Sequence, residues 1–467
     1  MSELGTQSNP LRVAIIGAGP TGFYTAEHLF KQTDYTVEVD MFERLPVPFG
    51  LVRYGVAPDH QKIKSVTAVY DRIAQKPGFR FFGNVQIGRD ISVADLRRFY
   101  HQIVYTTGAE TDRQLGIPGE ELRGSLPATE FVAWYNGHPD YVDYEVDLTQ
   151  ESVAVVGIGN VAMDVARILC RTPEELAKTD ISERALEKLR HSQVKNVYIL
   201  GRRGPAQAAF TTPEIKELGE MADADIYVPA DEAALDPLSQ AALSDGSDRA
   251  TLKKVEVIQS YAGRPFTGKS RRLTLRFLVS PVELIGDETG QIVKMRLVKN
   301  KLQKTSSGSL RPQATDEFEE IPVGLVFRSI GYRGVPIPEV PFYDSWGVIL
   351  NKEGRVLDAE TREPLVGQYT GGWIKRGPSG VIGTNKPDAL ETVQHMLEDV
   401  AAGQVLSPEQ PDAATVAQFV AEKQPCFFSY ADWQKLDALE MERGAALGCP
   451  RVKFTSVPEM LTAVGKG

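Results

Sequence analysis

The sequence predicts an α/β fold built on two copies of one strand–turn–helix unit. In the first, the apolar run Val13-Ala-Ile-Ile16 leads into Gly17-Ala-Gly19-Pro-Thr-Gly22. In the second, Val153-Ala-Val-Val156 leads into Gly157-Ile-Gly159-Asn-Val-Ala162. Each turn opens a stretch with helical spacing of apolar residues. Strand, glycine turn and helix in that order are the mark of a Rossmann-like dinucleotide-binding domain. Two of them in one chain predict two nucleotides held at once, an arrangement suited to passing electrons between them.

Composition sets the bounds. The 467 residues suit two or three domains, and 42% hydrophobic with 24% charged residues is the mix of a globular protein with a sizeable core. A net charge of −10 argues against generic nucleic-acid binding. The three cysteines, Cys170, Cys426 and Cys449, form no CxxC pair, so neither a redox disulfide nor an iron–sulfur cluster is supported, and no metal site is expected. No apolar run reaches the ~18 residues of a membrane span. Met1 to Asn9 hold no basic residue and no apolar stretch, so the expected location is cytoplasmic.

In the first unit, Arg12 to Ile16 reads as a buried parallel strand and Phe23 to Phe30 as a helix. Gly17 permits the tight turn, Ala18 lies within it, Gly19 lets backbone approach a pyrophosphate, and Gly22 lets helix and strand pack closely. The helix N-terminus offers free N–H groups to phosphate. The next strand, Thr36 to Phe42, ends at Glu43, about 20 residues past Gly22, where a carboxylate bonds ribose hydroxyls. Leu45 to His60 has too many prolines and glycines for a helix or strand interior, yet is apolar. It is expected to wall a flat aromatic ring.

In the second unit, Gly157, Ile158, Gly159, Asn160 and Val161 form the turn, and the helix runs from Val161 to Leu169. A further helical stretch reaches Leu189, and the strand Asn196 to Leu200 ends at Gly201-Arg202-Arg203-Gly204. The two units differ in charge at the end of their second strands: Glu43 ends that of the first, Arg202 and Arg203 that of the second. A carboxylate there repels a 2′-phosphate, whereas paired guanidiniums grip one. The first site is predicted to take FAD or NAD, the second NADP(H).

Beyond these, Pro205 to Glu214 leads into a short helix, and Ala222 to Ser247 reads as acidic surface helix and loop. Arg272 to Val279 and Gln291 to Val298 read as paired strands of an antiparallel extension. Thr305 to Ser309 reads as a polar turn and Val323 to Ile330 as a buried strand. A glycine-rich approach, Gly367 to Gly380, leads to a helix over Ala389 to Val400, whose N-terminal dipole would stabilise negative charge on a reduced flavin. A polar linker at Ser407 to Asp412 precedes a helical end without a catalytic signature.

Four segments carry a family resemblance: Pro48 to His60, Gly157 to Leu169, Gly201-Arg-Arg-Gly-Pro205, and Gly372 to Ile382. The chain resembles the adrenodoxin-reductase-like ferredoxin–NADP⁺ reductases from Leu11 to about Val400. The resemblance implies an FAD domain at 1–111 and 335–467, with 404–467 a C-terminal extension, and an NADP domain inserted at 112–334. It implies FAD contacts at Ala18, Glu43, Leu51, Ile87, Trp373 and Gly380, Val381 and Ile382. It implies NADP contacts at Gly157 to Val161, Arg202, Arg203, Glu214 and Gly380. His60 and Asp164 match a histidine and an aspartate that the family holds beside the flavin.

The expected enzyme passes a hydride from NADPH to flavin and then single electrons to a ferredoxin-type iron–sulfur carrier. The alternatives are a diaphorase or flavin reductase with another acceptor, or a non-enzymatic flavin or nucleotide sensor. A thioredoxin-reductase-like enzyme would need a CxxC, and a glutamate-synthase-like small subunit clustered N-terminal cysteines. One departure bears on the acceptor: Ile215 to Asp225 is more acidic than basic, where relatives serving acidic ferredoxins carry a basic patch. Lys269, Arg271 and Arg272 could compensate or be a solvated strand end.

Overall fold

A computed structural model describes residues 3–244, 246 and 248–466. Met1 and Ser2 of the Met1–Asn9 segment, Asp245 and Ser247 of the acidic stretch, and Gly467 lie outside the described residues. Two large sheets organise the molecule. The first runs Asn351–Lys352, Arg355–Leu357, Pro364–Thr370, Gln102–Tyr105, Leu11–Ile16, Val37–Glu43, Phe79–Gly83. Its last five strands are parallel and its first two antiparallel. The second sheet is all parallel, in the order Ser125–Pro127, Leu325–Arg328, Ser152–Val156, Asn196–Leu200, Arg271–Arg276, Ala224–Tyr227. Every residue of the second sheet falls between the two halves of the first. The chain crosses between them through one short antiparallel ribbon, Thr111–Asp112 against Tyr332–Arg333.

The strands preceding the turns are apolar throughout because both of their faces are covered. Leu11, Val13 and Ile15 enter one core cluster, while Ala14 and Ile16 enter another on the opposite face. Val153 and Val155 likewise face one cluster, and Ala154 and Val156 a second. Each fully buried Val, Leu or Ile contributes roughly 1.5–3 kcal/mol, so these strands anchor the turns rigidly. The helices that follow, Pro20–Lys31 and Asn160–Cys170, begin within the glycine turns.

Several expectations need correction. Arg271–Arg276 is not half of an antiparallel pair; it is an inner parallel strand beside Asn196–Leu200. The chain turns at Leu278, which takes φ +56°, and starts the antiparallel extension afterwards: Val279–Gly286, Ile292–Lys304 and Leu310–Pro322. The acidic stretch hides the strand Ala224–Tyr227, whose Ala224 and Ile226 are buried. The approach Gly367 to Trp373 contains most of the strand Pro364–Thr370. Leu45 to His60 includes one helical turn, Leu51–Tyr54.

The C-terminal extension is part of the body. Its helices are Ala413–Lys423, Tyr430–Leu447 and Val457–Val464. Phe428 exchanges two backbone hydrogen bonds of 2.8 Å with Gly83 at the sheet edge. Trp433 is buried edge-on against Phe49, with ring centres 5.5 Å apart. Arg53 and Glu440 form a fully buried bidentate pair, so the extension clasps the apolar loop. No helix of the described residues is long and apolar enough to cross a membrane.

Candidate functional site

The two glycine turns are held by the same contacts. Gly17 N–H donates to Phe42 O (2.8 Å), and Gly157 N–H to Leu200 O (2.9 Å). Thr106 N–H donates to Ile16 O and Ser329 N–H to Val156 O, both at 2.8 Å. Gly17 (φ +104°) and Gly157 (φ +134°) occupy backbone that favours glycine, and a Cβ on either would strike a carbonyl oxygen at 2.7 or 2.1 Å. Gly19 and Gly159 face open space, with nothing within 4 Å of a built Cβ. Neither following helix has a side-chain cap, so its first N–H groups are free for an anion. Both cradles therefore fit a pyrophosphate.

Around the first turn, Glu43 accepts from Ala18 N–H (3.0 Å) and Leu45 N–H (3.2 Å). Burial pushes its carboxyl above the usual range, partly offset by those bonds. The apolar loop folds over the turn: Phe49 N–H donates to Ala18 O (2.8 Å), and Phe49 itself takes φ +85°. Leu51 is half-buried at the start of the helical turn, while Ile87 is buried in the core below the sheet. Thr107 Oγ1 is buried without a hydrogen-bond partner, a polar atom suited to a ligand. On the far side, Trp373 begins the turn Trp373–Arg376 and donates from Nε1 to Ser379 O (3.1 Å). Gly380 (φ +82°) and Val381 are exposed and Ile382 half-buried, just ahead of the helix Asn385–Ala401.

Around the second turn, the Asn160 side chain accepts from Thr211 N–H (2.9 Å), tying the turn to the helix Thr212–Gly219. Ile158 and Val161 are half-buried against the core below. Arg202 is exposed and Arg203 half-buried, and neither guanidinium has an ion-pair partner among the described residues. Burial, then the charges of Arg202 and Arg311, push Arg203 below its ordinary range. This uncompensated positive charge lies at the strand end, where a 2′-phosphate would supply the missing anion. Arg311, from the antiparallel extension, was invisible in the sequence because it lies over a hundred residues away.

A charge network joins the end of the apolar loop to the helices Asn160–Cys170 and Thr212–Gly219. Arg167 is fully buried and bonds Asp59 (2.7 and 3.0 Å), Asp164 (2.6 Å) and Glu214 (3.1 Å). Arg171 Nε also reaches Asp59, at 2.7 Å. His60 Nε2 lies 2.8 Å from Glu217 Oε2, and its Nδ1 lies 3.8 Å from Asp164 and 4.0 Å from Glu214. Burial pushes Asp164 up despite Arg167, and raises Glu214 to about 7. Burial acts the same way on Asp59, but Arg167 and Arg171 override it and hold that carboxyl well below its usual range. The structure thus brings His60 and Asp164 within 3.8 Å of each other and adds Glu214, Asp59, Arg167 and Glu217 to them. The spacing of Asp164 and Arg167 on one helix was the available signal. His60, Glu214 and Glu217 each bring a donor atom within 4.8 Å, but Arg167 already occupies that carboxylate face.

The basic cluster is largely engaged. Lys269 Nζ donates to Met221 O (2.6 Å), Arg271 lies 3.6 Å from Asp223, and Arg272 stacks over Phe266.

Comparison with known proteins matches this geometry. Residues 11–203 fit the model of the pyridine nucleotide-disulphide oxidoreductases. The chain is 43% identical to an NADPH-ferredoxin reductase, FprA, of Mycobacterium tuberculosis, over 97% of this chain and 98% of that protein. The chain belongs to the ferredoxin–NADP⁺ reductase family related to adrenodoxin reductase. It is 41% identical to the human mitochondrial NADPH:adrenodoxin oxidoreductase, covering 99% of this chain and 94% of that one. The solved structure of M. tuberculosis FprA in complex with NADPH superposes with a TM-score of 0.89 at 42% identity, covering 98% of this chain and all of that one.

Proposed function

We propose that this chain is an FAD-dependent ferredoxin–NADP⁺ reductase. The observation that carries the reading is the contrast between two like-built turns, one ending at Glu43 and the other at Arg202 and Arg203, which have no ion-pair partner among the described residues. Bound FAD supplies the chemistry that turns the hydride of NADPH into single electrons for a ferredoxin-type iron–sulfur protein. The chain itself binds, orients and tunes. Gly17, Ala18, Gly19 and Gly22 would cradle the FAD pyrophosphate and Glu43 its ribose, with Leu51, Ile87, Trp373, Gly380, Val381 and Ile382 about the rest. Gly157, Ile158, Gly159, Asn160 and Val161 would cradle NADP(H) and Arg202 and Arg203 its 2′-phosphate, with Glu214 and Gly380 as further contacts. His60 and Asp164 tune the site through the network around Arg167.

In this reading the FAD domain comprises 1–111 and 335–467 and the NADP domain 112–334. The ribbon pairing Thr111–Asp112 with Tyr332–Arg333 supports those boundaries. A cytoplasmic location belongs to the proposal as well. The three cysteines are free thiols, which suits a reducing compartment, and fractionation would test it.

The decisive experiment is the absorption spectrum of the purified protein before and after anaerobic NADPH, followed by addition of a ferredoxin. The expected result is a yellow protein bleached by NADPH and recoloured as the ferredoxin is reduced. A colourless protein, or one that NADPH does not bleach, overturns the reading. Recolouring by ferricyanide but by no ferredoxin would shift it to a diaphorase.

A further inference from the structure

Three ionisable side chains meet, shielded from water, where three parts of the chain converge. Lys64, just past the apolar loop, places Nζ 2.7 and 2.8 Å from the two carboxylate oxygens of Asp180, in the inserted unit. Lys453, in the C-terminal extension, places Nζ 3.1 Å from Asp180 Oδ2. Lys453 also donates to the backbone carbonyls of Asn136 (3.1 Å) and Arg53 (3.4 Å), and Lys64 to Asn136 Oδ1 (3.3 Å). Lys64, Asp180 and Lys453 are 9%, 2% and 6% exposed, and Asn136 is fully buried.

Charge at this junction is unbalanced. The neighbouring carboxylate, Glu440, is already shared by Arg53 and Arg451. Two lysines are therefore left to one carboxylate. Burial pushes both lysines below their ordinary range, Lys453 further than Lys64. Burial alone would raise Asp180, but the two ammonium groups override it and bring the carboxyl down to about 2. Buried ions are poor sources of stability, and a balanced pair would serve packing better than this triad. What the triad does supply is fixed geometry between separate bodies.

The inserted unit needs such a fastening. Its covalent link to the rest is the two-residue ribbon at Thr111–Asp112 and Tyr332–Arg333, a narrow hinge. The network around Arg167 lies at the site itself. The triad is a further tie, beside the hinge, the network around Arg167 and the Arg44–Asp140 ion pair (2.7 Å), and it alone brings in the C-terminal extension.

We propose that Lys453 is a positioning residue for hydride transfer: with Lys64 and Asp180 it straps the C-terminal extension across the two units and sets the angle at which nicotinamide meets flavin. This rests on the reading of the chain as an NADPH-dependent flavoprotein. Lys453→Met is the variant of choice, because it leaves Lys64 and Asp180 as a neutral pair. Lys453→Gln, which can still donate to Asn136 O, is the second. In anaerobic stopped flow, flavin reduction by NADPH should slow about tenfold or more in both, as expected of a small misplacement of reacting groups. NADPH affinity should stay within about twofold, because Arg202 and Arg203 are untouched. Oxidation of dithionite-reduced enzyme by ferricyanide, which needs no nicotinamide alignment, should also stay within about twofold. Lys453→Arg should recover most of the lost rate. Flavin reduction at the wild-type rate in both variants overturns the proposal. Equal slowing of the two half-reactions, the sign of a merely structural role, also overturns it. A wild-type protein that NADPH fails to bleach would instead sink the functional reading beneath it.

Discussion

The two nucleotide turns share a backbone frame, and two of their side-chain differences bear on which nucleotide each holds. In each, the first glycine donates to the end of the neighbouring strand, and the middle glycine faces open space. The strands around them also follow the same order: Gln102–Tyr105, Leu11–Ile16, Val37–Glu43 in one sheet and Leu325–Arg328, Ser152–Val156, Asn196–Leu200 in the other. The first difference lies at the strand end, Glu43 against Arg202 and Arg203. The second is the third small residue, Gly22 against Ala162. A shared frame sets where a pyrophosphate sits, and a few side chains decide which dinucleotide brings it.

The largest effect should come from removing the charge that separates the two sites. Hydrogen bonds to charged groups are worth ~1.5–3 kcal/mol each. Arg202→Ala with Arg203→Ala should therefore lower kcat/KM for NADPH about 10²–10⁴-fold, at ~1.4 kcal/mol per tenfold. Activity with NADH should barely change. Steady-state kinetics with both coenzymes check this, and an unaltered preference for NADPH would break the comparison at its centre.

Next comes the tighter of the two turns. A Cβ on Gly22 would lie 2.2 Å from Gly17 O, a backbone atom held between strands. The helix would have to retreat, at an overpacking cost of ~1–3 kcal/mol. Gly22→Ala should purify with markedly less flavin per protein, read from the absorbance ratio, while NADPH binding to the second site persists. Full flavin occupancy would show that close packing at Gly22 does not shape the site.

A smaller effect concerns the buried carboxyls. Glu214 rises from its ordinary 4.5 to about 7 because burial outweighs Arg167 and His60. A raised carboxyl contributes stability that is complete below about pH 4.5 and lost as pH rises through 7. At ~1.4 kcal/mol per unit, Glu214 accounts for up to ~3 kcal/mol of that loss. Glu214→Gln should flatten the fall in thermal stability between pH 4.5 and 7. An unchanged slope in melting temperature against pH would remove Glu214 from this role.

What the sequence made legible was local. Turn glycines, the strands before them and the charge at each strand end are contiguous signals, so the sites of Gly17 and Gly157 could be placed. Arg271–Arg276 was misjudged because alternating residues resemble an edge strand, and only Leu278 at φ +56° shows that the chain turns away. Ala224–Tyr227 is four residues long and lies among acidic ones, too short for a periodic signal. Arg167 was missed as the centre of the site because Asp59 reaches it from a loop over a hundred residues away. The Lys64–Asp180–Lys453 junction was hidden for the same reason: buried charges report their partners only once the chain has folded.

The smallest effect should come from making the two turns alike. Ala162 is fully buried at the position matching Gly22, so the second helix stands far enough from its turn to admit one methyl group. Ala162→Gly removes that methyl and loosens the first turn of the helix, together about 2 kcal/mol at most. The free N–H groups and Arg202 and Arg203 are untouched, so kcat/KM for NADPH should stay within about twofold while the melting temperature drops by a few degrees at most. A tenfold loss of NADPH activity would mean that helix distance, and not charge at the strand end, separates the two sites.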